Sequence, residues 1–171
     1  MRKISVLLTL PFLFLITLPA TAQSFDKQGV SFTVPDGWKI TEEEDLNGKG
    51  YYLSCEKEGK NASGIVTIRW INDTVSTSNM VDQYINGLRQ NFAEKNAKRM
   101  LFGTPEPAKV SNFNGVSADF SFSLMDIQHR GQIGSFHASG KTFTILMQEA
   151  TEDIAENKPG FAAIMSSFSC E

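Results

Sequence analysis

Val116-Ser117-Ala118-Asp119-Phe120-Ser121-Phe122-Ser123-Leu124 alternates apolar and polar residues without a break. Successive strand side chains point to opposite faces. The run therefore predicts a β-strand with Val116, Ala118, Phe120, Phe122 and Leu124 packed on one side. Ser117, Asp119, Ser121 and Ser123 fall on the other side, wet or lightly covered. One packed and one open face belong to an antiparallel sheet. The polar row is also a candidate docking face.

The neighbouring sequence extends this sheet. Asn114-Gly115 is the dipeptide favoured in a type I′ turn, where both central residues need φ > 0, and predicts a hairpin to a strand over residues 109–113. Residues 132–139 and 142–149 read as a second hairpin about Gly140-Lys141, with Phe143, Ile145 and Met147 on one face. Toward the N-terminus, Val30-Ser31-Phe32-Thr33-Val34 alternates, Pro35-Asp36-Gly37 has turn chemistry, and Trp38-Lys39-Ile40 resumes the chain. Glu42 to Gly50 reads as an acidic, glycine-containing loop. Residues 51–57 predict a strand with Leu53 and Cys55 opposite Ser54 and Glu56. After a polar turn, residues 65–71 place Val66, Ile68 and Trp70 on one side.

The period changes at Val81, Tyr84, Ile85, Leu88 and Phe92, which form one stripe of an α-helix. Asn79 with Asp82 three residues on resembles its N-cap. Residues 94–99 read as its charged, frayed end, and residues 102–107 as a loop rich in Gly and Pro. A last helix is predicted from Thr151-Glu152-Asp153 as cap and acidic first turn, Pro159 as a first-turn proline, and the stripe Phe161, Ile164, Met165 and Phe168. The expected fold is α+β: one domain, an antiparallel β-sheet flanked by helices, in the order β-β-β-α-β-β-β-β-α. No repeat or linker divides it.

Residues 1–22 have the form of a secretory signal. Arg2 and Lys3 precede an apolar stretch from Val6 to Leu18, interrupted by Thr9, Pro11 and Thr17, and Ala20-Thr21-Ala22 supplies small residues for cleavage. The stretch is short for a membrane span. No cysteine follows the cleavage point, so a lipid anchor is not expected. The expected mature chain is 23–171, exported, released and periplasmic or secreted, without membrane insertion. With 41% hydrophobic and 20% charged residues the chain has the composition of a globular protein rather than a disordered one. Its formal charge of −3 becomes more acidic once Arg2 and Lys3 leave, which argues against a nucleic-acid partner. Asn61-Ala62-Ser63 and Asn72-Asp73-Thr74 match the glycosylation acceptor pattern and mark polar turns.

Three groups of residues resemble the PsbP-like family, which includes photosystem PsbP, Ran-binding Mog-type proteins and DcrB-like envelope proteins. They are Val30 to Trp38, Gly140-Lys141-Thr142-Phe143 before a late strand, and the closing helix with Ser166-Ser167-Phe168. The element order is similar across nearly all of the expected mature chain. The resemblance implies an antiparallel sheet flanked by helices, often serving as a protein-binding module. It transfers no partner-contacting residue.

Candidate chemistry is sparse. Cys55 and Cys170 are the only cysteines, and an exported even pair is a disulfide candidate, stabilising by roughly 4–5 kcal/mol on the chain-entropy model. Two unconnected thiols, one buried and one near a terminus, are the other reading. His129 and His137 would lie about 26 Å apart on a continuous strand, too far to share a metal. A Ser-His-Asp site would need one of them beside Asp119 and a serine, and no G-x-S-x-G elbow marks a nucleophile. Gly134 and Gly140-Lys141-Thr142 have the wrong spacing for a phosphate loop and precede a strand, so they read as a hairpin turn. Glu42, Glu43, Glu44 and Asp45 lack the alternating ligands of a calcium loop. Exposure of Tyr51, Tyr52 or Trp38 would strengthen a partner site, although Trp38 and Trp70 read as core. No catalytic, metal or cofactor site is assigned. The leading expectation is a non-enzymatic binding or accessory module for an unknown protein or small ligand of the envelope or extracellular space. A hydrolase with a scattered site is the alternative, and a purely structural subunit a third reading.

Overall fold

The computed structural model describes residues 23–59 and 62–171. The expected signal segment, residues 1–22, and Asn61 lie outside them. The strands are β1 (Gln23–Lys27), β2 (Val30–Val34), β3 (Trp38–Asp45), β4 (Gly50–Lys57), β5 (Ile65–Ile71), β6 (Lys98–Phe102), β7 (Glu106–Val110), β8 (Phe113–Leu124), β9 (Ile127–Ala138), β10 (Lys141–Ala150) and β11 (Ser169–Cys170). Helix α1 (Thr77–Glu94) follows β5, and α2 (Ile154–Ser167) follows β10 after a 3-10 turn at Thr151–Asp153.

The large sheet runs β3-β4-β5-β10-β9-β8-β6, with β7 sharing the β8 edge with β6, and every pairing is antiparallel. Its register fixes two faces. Ala118, Ile133, Leu146 and Thr67 align across β8, β9, β10 and β5. Ala118, Phe120, Phe122, Ile133 and Leu146 pack there against Val81, Ile85 and Phe92 of α1. Phe92 stacks on Phe122 with ring centroids 4.0 Å apart. Asp119, Gln132, Met147, Val66 and Cys55 align on the other face. Leu53, Ile68, Trp70, Phe136, Phe143 and Ile145 form the main core on that side. It is capped by Ile164 of α2, by Phe168 just beyond that helix, and by Phe25, Val30, Phe32 and Val34 of a small sheet ordered β1-β2-β11. The domain is thus a sheet covered by α1 on one face and by α2 with the small sheet on the other.

The alternation of residues 116–124 predicts this arrangement correctly, but several local expectations are corrected. Asn114 and Gly115 lie inside β8, paired with Lys109 and Ala108, and the turn falls at Ser111-Asn112 with Ser111 at φ 53°. Gly115 serves close approach instead: a Cβ there would sit 2.9 Å from the Phe136 Cβ. In the β9–β10 hairpin both Ser139 (φ 49°) and Gly140 (φ 72°) have positive φ, so the turn begins one residue before Gly140-Lys141. The β8–β9 turn at Met125-Asp126 also has positive φ at both residues, without glycine.

The helix cap is Ser76, whose hydroxyl accepts the Asn79 N–H at 3.3 Å, so Asn79 is the capped residue rather than the cap. The expected frayed end and loop after α1 contain β6, which pairs with β8 through a bulge and has Arg99 at φ 53°. The acidic run is not a loop. Glu42 to Asp45 continue β3 opposite Tyr51 to Ser54. Glu43 is held by Lys27 and by the Tyr51 hydroxyl, which donates to it at 2.6 Å. The Lys27 hydrogen bond holds the Glu43 carboxyl below the usual carboxylate range. Asp45 accepts the Gly48 N–H at 2.6 Å and so caps the turn that follows. Trp38, Tyr51 and Trp70 are buried and Tyr52 is half-buried, which removes the first two as exposed partner-site aromatics.

Candidate binding groove

The position of α2 creates the site. Before the helix, the Ala150 N–H donates to Ser63 Oγ at 2.9 Å and Ser63 Oγ donates to Asp153 Oδ2 at 2.6 Å. Lys57 pairs with Glu156 at 2.7 Å. Asp153 is the N-cap without a side-chain cap bond, and Thr151-Glu152-Asp153 form the 3-10 turn, so Pro159 lies inside α2 rather than in its first turn. Gly160 lets the helix approach the sheet: a Cβ there would stand 2.6 Å from Trp38 Cζ2. At the far end Ser111 Oγ donates to the Met165 carbonyl at 2.6 Å, and Ser167 Oγ accepts the Thr33 N–H at 2.9 Å.

Pinned in this way, α2 leaves part of β8, β9 and β10 open beside it. A groove of about 670 Å³ lies there. Ile154, Phe161, Ala162 and Met165 form its helix wall, and Met147 lies on its floor. Asp119, Gln132, Arg130 and Glu149 supply its polar groups, with Lys158 on the helix side. Gln132 Nε2 donates to Asp119 Oδ1 at 3.0 Å. Arg130 donates from Nε (3.0 Å) and Nη2 (2.8 Å), both to Glu149 Oε1. The Glu149 side chain is only 7% exposed, and its Oε2 is buried without a hydrogen-bond partner.

Of the candidate docking row, Asp119 is exposed and lies in this groove. Ser121 is opposite Arg130, Ser117 opposite Gly134 and Ser123 opposite Gln128, all half-buried along the same face of β8. Arg130, Glu149 and Lys158 were not singled out from the sequence. Glu149 did carry a signal, because it continues the parity of Phe143, Ile145 and Met147 and so places a carboxylate on the buried face of an apolar strand.

The histidines turn away. His129 and His137 sit on the β9 face directed toward α1, opposite in parity to Gln132 and hence to Asp119. His129 stacks on Phe122 at 4.9 Å, and burial lowers its pKa against the opposing charges of Asp153 and Glu152. His137 Nε2–H donates to the Val75 carbonyl at 2.6 Å. No Ser-His-Asp arrangement forms from these residues.

The expected Cys55–Cys170 disulfide is not formed; both are free thiols. Cys55 lies in β4 between Ile40 and Val66, while Cys170 pairs with Val30 in the small sheet, so the two belong to different layers. Burial pushes the Cys55 thiol up to about 12 and raises Cys170 as well. The thiolate is the reactive form. Brief iodoacetamide treatment of the folded protein at pH 8 should therefore add one adduct, on Cys170, and denaturation a second, on Cys55. Peptide mass mapping checks this, and two adducts before denaturation would contradict the burial of Cys55.

Among the described residues no three His, Cys, Asp or Glu side chains gather as a metal site would require. None of the described helices is long and apolar enough to cross a membrane.

An antiparallel sheet with one helix on one face, and a helix plus a small sheet on the other, defines a single α+β domain. Solved structures bear this out at the level of fold. The chain is similar to cyanobacterial PsbP (CyanoP) from Synechocystis sp. PCC 6803, with a TM-score of 0.57 and 13% identity, covering 91% of this chain and 95% of that one. It is also similar to a protein from Bacteroides thetaiotaomicron, with a TM-score of 0.56 and 12% identity over 88% of this chain. The chain spans 48% of the length of the Bacteroides protein. No family model and no curated protein sequence matches. The protein has the PsbP-like fold.

Proposed function

We propose that this chain is an exported, non-enzymatic binding or accessory module whose groove beside α2 holds an apolar part of its ligand. The groove carries the reading. Its volume of about 670 Å³ falls within the roughly 300–1,000 Å³ typical of small-ligand sites, and it combines apolar walls with a few polar groups. The fold likeness to cyanobacterial PsbP supports an accessory role, and the separation of both histidines from Asp119 favours binding over hydrolysis. Export rests on residues 1–22. An intact mass of the chain recovered from its cells reads this directly; retention of residues 1–22 would remove the export reading.

The groove is tested with the neutral apolar dye Nile red. One dye should bind per folded chain with increased fluorescence. Ala162→Trp, which fills the groove from an exposed position on α2, should weaken binding at least tenfold with little change in melting temperature. A folded parent chain that binds no dye, or a folded Ala162→Trp variant that binds it unchanged, counts against the groove as the binding site.

A further inference from the structure

We propose that the groove selects an apolar ligand bearing a protonated amine, and that Glu149 is the residue that receives it. The inference rests on the groove reading above and adds the head-group chemistry. A buried carboxylate is tolerated when its oxygens accept hydrogen bonds. In Glu149 only one oxygen is served: both Arg130 donors converge on Oε1, and Oε2 has none. The residue is 5% exposed and lines the groove. Its terminal torsion is broad, so the carboxylate can turn to meet a donor placed in the groove.

The charge on the sheet side favours a cation over a neutral donor. Arg130 is matched by Glu149, while Asp119 is bonded to the neutral amide of Gln132. Two carboxylates thus face one guanidinium. Lys158 stands across the groove on an exposed position of α2, where water serves it. Met147, Phe161 and Met165 take the apolar body, and the two thioethers can adjust to its shape.

The test uses three probes with one tail: octylamine, octanol and octanoate, titrated calorimetrically into the full mature chain at pH 7. Octylamine should bind roughly 10–100-fold more tightly than octanol, the range of a charge-assisted hydrogen bond. Glu149→Gln keeps a carbonyl for Arg130 but offers an N–H where Oε2 was. It should abolish the amine's advantage over octanol. Equal binding of amine and alcohol, or tightest binding of octanoate through Lys158, overturns the head-group inference and leaves the groove reading intact. Failure of all three probes to bind overturns both. Should Glu149→Gln not fold, the order of the three probes on the unaltered chain decides alone.

Discussion

Trp70→Ala is expected to cost about 3–5 kcal/mol, the range for truncating a fully buried aromatic residue. Trp70 is 0% exposed in β5, at the junction of the large and small sheets. Its ring stacks on Tyr51 at 5.0 Å, meets Phe25 edge-on at 6.4 Å and lies 6.0 Å from Phe143. These neighbours come from three strands in two sheets, so they cannot collapse together to fill the hole. Typical domains hold only about 5–15 kcal/mol in total, so the guanidinium chloride midpoint should fall steeply with little change in slope. Trp70→Phe serves as the companion variant. It keeps most of the ring contacts but removes the indole N–H that donates to Gln28 Oε1 at 3.3 Å, and it should cost clearly less. A midpoint for Trp70→Ala within experimental error of the parent would show that this junction does not hold the layers together.

Gly160→Ala should also destabilise, although alanine is ordinarily the better helix former by about 1 kcal/mol. The added methyl would meet the Trp38 indole, with Cζ2 at 2.6 Å, so either the ring or α2 has to move. Trp38 is itself held edge-on to Phe161 at 5.4 Å, which limits its freedom to yield. Overpacking of this kind costs about 1–3 kcal/mol, and about 2 kcal/mol lowers the melting temperature by roughly 4–8 °C in a domain of this size. Gly87→Ala in α1 is the control. A Cβ there meets nothing within 4 Å, so the substitution should raise stability by about 0.5–1 kcal/mol. Thermal unfolding of the pair separates helix propensity from contact. A Gly160→Ala protein that melts above the parent would show that the close approach is not needed.

Residues whose environment is set by their own strand or helix were legible in the sequence. Alternation placed Ala118, Phe120 and Phe122 on one face, and the stripe from Val81 to Phe92 found α1. What escaped depends on partners distant in sequence. Glu43 joins a strand because Lys27 and Tyr51 neutralise and bond it. Gly115 reads as a turn residue locally but serves a close approach to the neighbouring β9 strand. β6 has a bulge and exposes Leu101, so no alternation marks it; its pairing with β8 makes it a strand. The groove was half visible. Asp119 stood in a legible row and Arg130 meets Glu149 by register across the β9–β10 hairpin, whereas Lys158 and the apolar helix wall join them only when α2 packs beside the sheet.

The small sheet joins segments far apart in sequence. Cys170 pairs with Val30, and the Glu171 N–H donates to the Gly29 carbonyl at 2.8 Å. During synthesis Val30, Phe32 and Val34 therefore stay without the cover of α2 and β11 until those later segments have been made. Such sequence-distant closure is entropically slow. It also sets a rule for handling the protein: removing Ser169 to Glu171 reopens the N-terminal edge, although those residues are far from it in sequence.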